Sequence, residues 1–252
     1  MKTKIYRKLA PLLLLASTPL LIGSTRTLPP EGLDITTMVD KSDLVFLGKV
    51  TNVQFVYRRN IWPQYTTDVT VKVEEKIKGK PNYGKNWVKF MLPGGAHDNH
   101  RTRKKAGGLW ISGTPGFKRG ERLLMFMRID PYSERPYRGL ALVDGWWGKC
   151  KIVDEKSVSV WYTTKKRKLR NGTWNEAGLV RPILLPVDLA VKIARAASKD
   201  AYSTLEIEER IRTFAQQTPI KPSERPYPDQ ELLDSVESEI DKILIRMNTE
   251  KN

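Results

Sequence analysis

Residues 65–79 read YTTDVTVKVEEKIKG. In an extended chain Val69, Val71 and Val73 point one way, and Thr70, Lys72 and Glu74 the other. A period of two predicts a strand with one dry and one wet face, because successive side chains leave a sheet on opposite sides. The β-branched valines and threonines suit that pleat. Upstream, DLVFLGKVTNVQFVY (43–57) is rich in β-branched and aromatic residues; downstream, NWVKFML (86–92) sets Val88, Phe90 and Leu92 on one face. ERLLMFMRI (121–129), GLALVDGWW (139–147), KCKIV (149–153) and SVSVWYTT (157–164) continue the series, with Gly, Pro, Asn and Asp between them. Six or seven such strands without intervening helices predict an antiparallel barrel or sandwich.

The flanks are helical. LDITTMVDKSD (33–43) predicts one short helix leading into the first strand. RPILLPVDLAVKIARAASK (181–199) predicts a helix with Pro186 at its first position and Leu189, Ile193 and Ala196 or Ala197 on one face. STLEIEERIRTFAQQ (203–217) offers a capping-box spacing in Ser203 and Glu206 and a stripe of Ile207, Ile211 and Phe214. Glu206–Arg210 and Glu208–Arg212 fall at the i,i+4 spacing of wet-side ion pairs. Pro219, Pro222, Pro226 and Pro228 make the next stretch a stiff, extended linker. Beyond it Leu233, Val236, Ile240, Ile243 and Met247 alternate at three and four, as in a coiled-coil seam. Such a helix either docks on the parent domain or mediates weak self-association through 229–248.

Charge and the N-terminus speak to location. The 252-residue chain has 44 Lys+Arg against 28 Asp+Glu, a net +16. MKTKIYRKLAP followed by LLLLASTPLLIG is a basic start and an apolar run too short to span a bilayer, so 1–24 reads as a secretory signal. No later segment is long and apolar enough to cross a membrane. Without Lys2, Lys4, Arg7 and Lys8 the remainder is still +12, while 218–252 is acidic at −3. A field of that sign favours anionic partners. The organisation expected is therefore signal 1–24, β-barrel domain 35–180, helical extension 183–217, linker 218–228 and amphipathic helix 229–252. Cys150 is the only cysteine, so no internal disulfide can form and Cys-type structural zinc sites are excluded. Between lysines in a strand, it reads as a small semi-buried side chain.

Both histidines lie in MLPGGAHDNHRTRKKAGGLW (91–110). His97, Asp98 and His100 could supply three metal ligands, but Arg101, Arg103, Lys104 and Lys105 follow at once and repel a divalent ion. A solvated turn fits better. No G-x-S-x-G elbow, H-E-x-x-H or Gly-rich phosphate loop is present, so no catalytic residue and no cofactor is assigned. The cations make better sense as a binding surface. RTRKK (101–105) is joined by Lys165, Lys166, Arg167, Lys168 and Arg170, set at a hairpin tip before Asn171-Gly172. Trp110 lies near the first cluster, and Trp161, Tyr162 and Trp174 lie around the second. Basic side chains beside aromatic faces suit an anionic polymer, through charge attraction and stacking.

The order MVDKSDLVFLGKVTNV, YTTDVTVKVEEKIKGK, VKFMLPGG, SGTPGFKRGERLLMFM and GWWGKCKIV, from Met38 to Val153, resembles a family of exported, uncharacterised bacterial proteins. The helix, then DLVFLGKV, then a strand ending in KIKGK, is also similar to the netrin-like module of tissue inhibitors of metalloproteinases. That resemblance implies a five-stranded OB-type barrel presenting loops to another exported protein, a protease among them. The inhibitors chelate the protease metal through an amino-terminal cysteine within a disulfide framework; Cys150 cannot supply that chemistry. The expected function is thus an exported, non-enzymatic binding module that offers basic loops to an anionic polymer or an exported protein. The alternatives are an envelope-polymer hydrolase, using carboxylates or a metal at His97/His100, and a structural protein associating through its last helix.

Overall fold

A computed structural model describes residues 33–58, 64–94, 114–129, 139–163, 167–168, 174–175, 180–217 and 227–249. The expected signal 1–24 and most of the Pro-rich linker lie outside these residues. Helix α1 (Ile35–Asp40) opens the described fold, capped by Asp34, whose carboxylate accepts from the Thr37 amide at 2.8 Å. Five strands follow: β1 (Leu44–Tyr57), β2 (Tyr65–Lys78), β3 (Trp87–Pro93), β4 (Arg122–Ile129) and β5 (Leu140–Leu142). A 3₁₀ turn (Gly145–Gly148) leads to β6 (Lys149–Val153) and β7 (Ser157–Thr163). The two-residue strands β8 (Arg167–Lys168) and β9 (Trp174–Asn175) pair only with each other. Then come β10 (Val180–Pro186) and helices α2 (Val187–Ala197), α3 (Leu205–Gln217) and α4 (Gln230–Thr249).

The main sheet is antiparallel, in the order β10-β7-β6-β4-β1-β2-β3, with β5 on the far end of β4. It is open: its end strands β3 and β10 do not pair among the described residues. β5 nevertheless lies against β3, so that β1 to β5 curl round a shared interior. Strand β10 adds to the sequence expectation, which placed the start of the helix at Pro186 and counted 183–217 as a helical extension without a strand. Residues 180–186 instead pair with β7, from Val180 opposite Thr163 to Pro186 opposite Ser157, and the helix begins at Val187 with Pro186 as its cap.

Two cores flank the sheet. In the middle strands, Leu44, Phe46, Leu123, Met125 and Met127 enter the curl beside Val69, Val71, Val88 and Phe90. Their neighbours Val45, Leu47, Leu124 and Phe126 enter the opposite core under the helices. A strand buried on both faces needs a continuous apolar run, which LVFL and LLMFM provide; β2 and β3 have one wet face and therefore alternate. Helix α2 lays Leu189, Ala190, Ile193, Ala194 and Ala197 on the second core. Leu233, Val236 and Ile240 of α4 belong to the same core, so the seam expected to allow self-association is occupied within the chain. Lys192 of α2 pairs with Glu237 at 2.7 Å and Asp241 at 2.9 Å, and Arg210 of α3 pairs with Glu239 at 2.7 Å. From Val187 onward the helices cover a core that the sheet begins.

Gly79 ends β2 at φ +76, where a Cβ would lie 2.0 Å from the Asp43 carbonyl oxygen. That close approach locks the end of β2 against the start of β1. Gly79→Ala combines left-handed strain with a backbone clash and is expected to cost about 2–4 kcal/mol. Urea denaturation would show it as a lowered midpoint with an unchanged slope.

Candidate functional site

Cross-strand partners share one face of a sheet. The registers place Arg122 of β4 opposite Lys49, Lys49 opposite Lys72, and Lys72 opposite Trp87. These four residues form one transverse row over β4, β1, β2 and β3, spanning about 14 Å at the usual strand spacing. Arg122 is neutralised by Glu74 at 2.8 Å. Lys49 and Lys72 are exposed and make no ion pair among the described residues. Trp87 is an exposed ring at the end of the row. One step along, Thr70 faces Lys89, whose ammonium sits 3.6 Å from the centre of the exposed Tyr83 ring. Two like charges directly opposite one another disfavour strand pairing. The row is the wet half of the alternation seen in 65–79; the sequence shows Lys72 facing out but not that Lys49 and Trp87 flank it.

The residues singled out from sequence fare differently. His97, Asp98, His100, Arg101, Arg103, Lys104, Lys105, Trp110, Lys165, Lys166 and Arg170 lie outside the described residues. Arg167 and Lys168 pair antiparallel with Asn175 and Trp174, the hairpin expected around Asn171-Gly172. Trp161 is half-buried and packs edge-on against Trp147, with centroids 5.0 Å apart at 79°. Tyr162 is fully buried among Val158, Val160 and Ile183, and so offers no face to a partner. The alternation itself contains that correction, since Tyr162 is in phase with Val158 and Val160.

Around Tyr162 lies the one strongly perturbed acid among the described residues. Glu208 of α3 is 1 % exposed rather than on the wet side. Its Oε1 accepts from the Thr36 amide at 3.0 Å and from the Thr36 hydroxyl at 3.2 Å, and Thr36 in turn meets Thr204 at 2.8 Å. The Tyr162 hydroxyl faces the same carboxyl, yet Tyr162 Oη and Glu208 Oε2 do not close a well-formed hydrogen bond. Arg212, expected to pair with Glu208, turns instead to Asp34 at 2.6 Å and to Glu209. Ser203 donates to the Asp200 carbonyl rather than forming a capping box. Burial, reinforced by the Asp34 charge, pushes the Glu208 pKa up to about 8. The acid is therefore largely protonated at neutral pH. The cluster ties α1 to α3 and β7; it is closed to substrate.

Cys150 is buried, and burial raises its thiol pKa to about 12, which makes it inert at neutral pH. No three His, Cys, Asp or Glu side chains gather as a metal site among the described residues. No helix among them is long and apolar enough to cross a membrane. No protein-family model matches the chain, and no curated protein matches it.

Because the folded state holds the Glu208 proton more tightly than the unfolded chain, the group's stabilisation is full below about pH 4.5. It is lost progressively as pH rises to about 8. Glu208→Gln keeps an acceptor for Thr36 and a donor for Tyr162 without the charge. Its stability relative to wild type should rise across that window by a few kcal/mol, read from urea midpoints at pH 5, 7 and 9. A difference that does not change with pH would show that Glu208 is not buried as described.

Proposed function

We propose that the protein is an exported, non-enzymatic binding module whose basic sheet face takes an acidic polysaccharide. The observation that carries this reading is the unpaired Lys49–Lys72 couple beside the exposed ring of Trp87. Two ammonium groups one strand apart match anionic groups repeated along a polymer, and each contact formed releases counterions. The indole face adds stacking on sugar rings. The like-charge pairing lowers the stability of the free protein and is relieved only when an anion lies across it.

The wider expectations fit this reading. An export signal at 1–24 would place the module among envelope or extracellular glycans. The curl of β1 to β5 supports an OB-type barrel of the netrin-like kind, an architecture that uses its strand surface for oligosaccharides and oligonucleotides. Arg101, Arg103, Lys104 and Lys105, with Lys165 to Arg170, would extend the basic surface beyond the described strands.

Lys49→Glu creates an opposite-charge pair with Lys72. It is expected to raise stability by up to about 1 kcal/mol while weakening binding to polygalacturonate. Lys49→Glu with Lys72→Glu should reduce affinity about thirtyfold and lower the salt slope by roughly one per lysine removed. Undiminished affinity in the double variant would remove the sheet face from the site.

A further inference from the structure

On the opposite side of the sheet lies a second polar constellation. Lys149 pairs with Met125, a residue of the curl, and so projects from the face away from Lys49. There a cavity of about 200 Å³ is lined by Gly116, Glu121, Lys149, Lys151, Ser159 and Trp161, among others. It is too small for a drug-sized ligand and has room for about six waters, or a single ring.

Its walls are specific. Ser159 is 3 % exposed, and its buried hydroxyl has no hydrogen-bond partner. Lys149 is fixed by the Glu121 carboxylate at 2.8 Å, the Gly116 carbonyl at 2.5 Å and the Phe117 ring at 4.4 Å. Burial holds its ammonium below the ordinary lysine range, against the pull of Glu121. Glu121 Oε2 takes Lys149 and the Lys118 amide, which leaves Oε1 to accept from elsewhere. Lys151 is exposed and unpaired among the described residues. Trp161 supplies a rigid half-buried ring, braced by Trp147.

We infer that this cavity is a subsite for one carboxylated, hydroxylated sugar ring, a uronic acid. The lining charges sum to one positive, which suits a carboxylate and disfavours a phosphate dianion beside Glu121. Lys151 and the Ser159 hydroxyl provide donors for the two carboxylate oxygens. Glu121 accepts from a sugar hydroxyl, and Trp161 covers the apolar side of the ring. The subsite does not depend on the sheet face proposed above, because it lies on the other side of the sheet. The same ring could come from a free acid or from a residue of a polymer.

The test is calorimetric titration of the full chain with galacturonate, its neutral methyl ester and galactose. Galacturonate should bind at least about tenfold more tightly than either neutral sugar, and Ser159→Ala and Lys151→Gln should each weaken it about tenfold with no loss of melting temperature. The titrations are repeated with the Lys49→Glu, Lys72→Glu double variant, which removes the polymer face, so that the acid-over-ester preference expected to remain is read from this cavity alone. In that double variant, tighter binding of trigalacturonate than of the monomer would identify a polymer source, and equal binding a free acid; either supports the subsite. Equal heats from acid and ester, no heat from galacturonate, or wild-type affinity in both pocket variants would overturn it. The ester comparison uses the unaltered chain and so decides even where a variant is unstable.

Discussion

Strands β1 and β4 lie side by side in the middle of the sheet, and their facing segments are buried on both faces. Leu44 to Leu47 and Leu123 to Met127 have no wet side, and each such side chain withdrawn from water contributes about 1.5–3 kcal/mol. A strand of this kind is stable only if something covers each face. The curl of β2, β3 and β5 covers one, and α1 to α4 cover the other. Chain order follows from that need. The strands of the curl come early, and three of the four covering helices follow the last strand, with α1 before the first.

Covering a sheet with four helices brings helix ends and helix faces into dry surroundings, where polar groups must find partners. The α1–α3 contact solves this with Thr36, Thr204, Glu208 and the Asp34–Arg212 pair. An ionised Glu208 would set a buried charge beside Asp34, a cost that the Thr36 donors and the nearby Tyr162 hydroxyl offset only in part. The acid is thus a structural group whose charge state is set by packing. Its perturbed pKa has the appearance of a catalytic signature, but the side chain is buried between α1, α3 and β7.

Much of this was legible in the residues. Alternation located β2 and β3, β-branched and aromatic enrichment located β1, β4 followed as a further member of the strand series, and the three-four spacing of α4 located its buried face. Strand β10 was missed because Pro182 and Pro186 argue against a strand. They are tolerated because β10 is an edge, where a missing amide breaks no ladder. Glu208 and Arg212 fit an i,i+4 pair by spacing alone, and only the docking of α1 redirects them. The Lys49–Lys72–Trp87 row depends on register, and β1 and β2 shift register three times along their length. No local pattern encodes that.

Those register shifts bear on where binding can occur. A bulge increases local twist and re-aims side chains. Between Val50 and Asn52 the shift separates the buried half of β1 from its exposed half. Gly48, one residue before Lys49, lets the β2 backbone approach to where a Cβ would lie 2.7 Å from the Lys72 carbonyl. The two lysines therefore sit where the strands are pressed together rather than where they could splay apart. A sheet selected for stability alone would place opposite charges, or threonines, at that pinch. Two lysines there, with a tryptophan at the end of their row and the helices covering the rest of that face, leave the unrelieved charge on the part of the sheet that faces solvent.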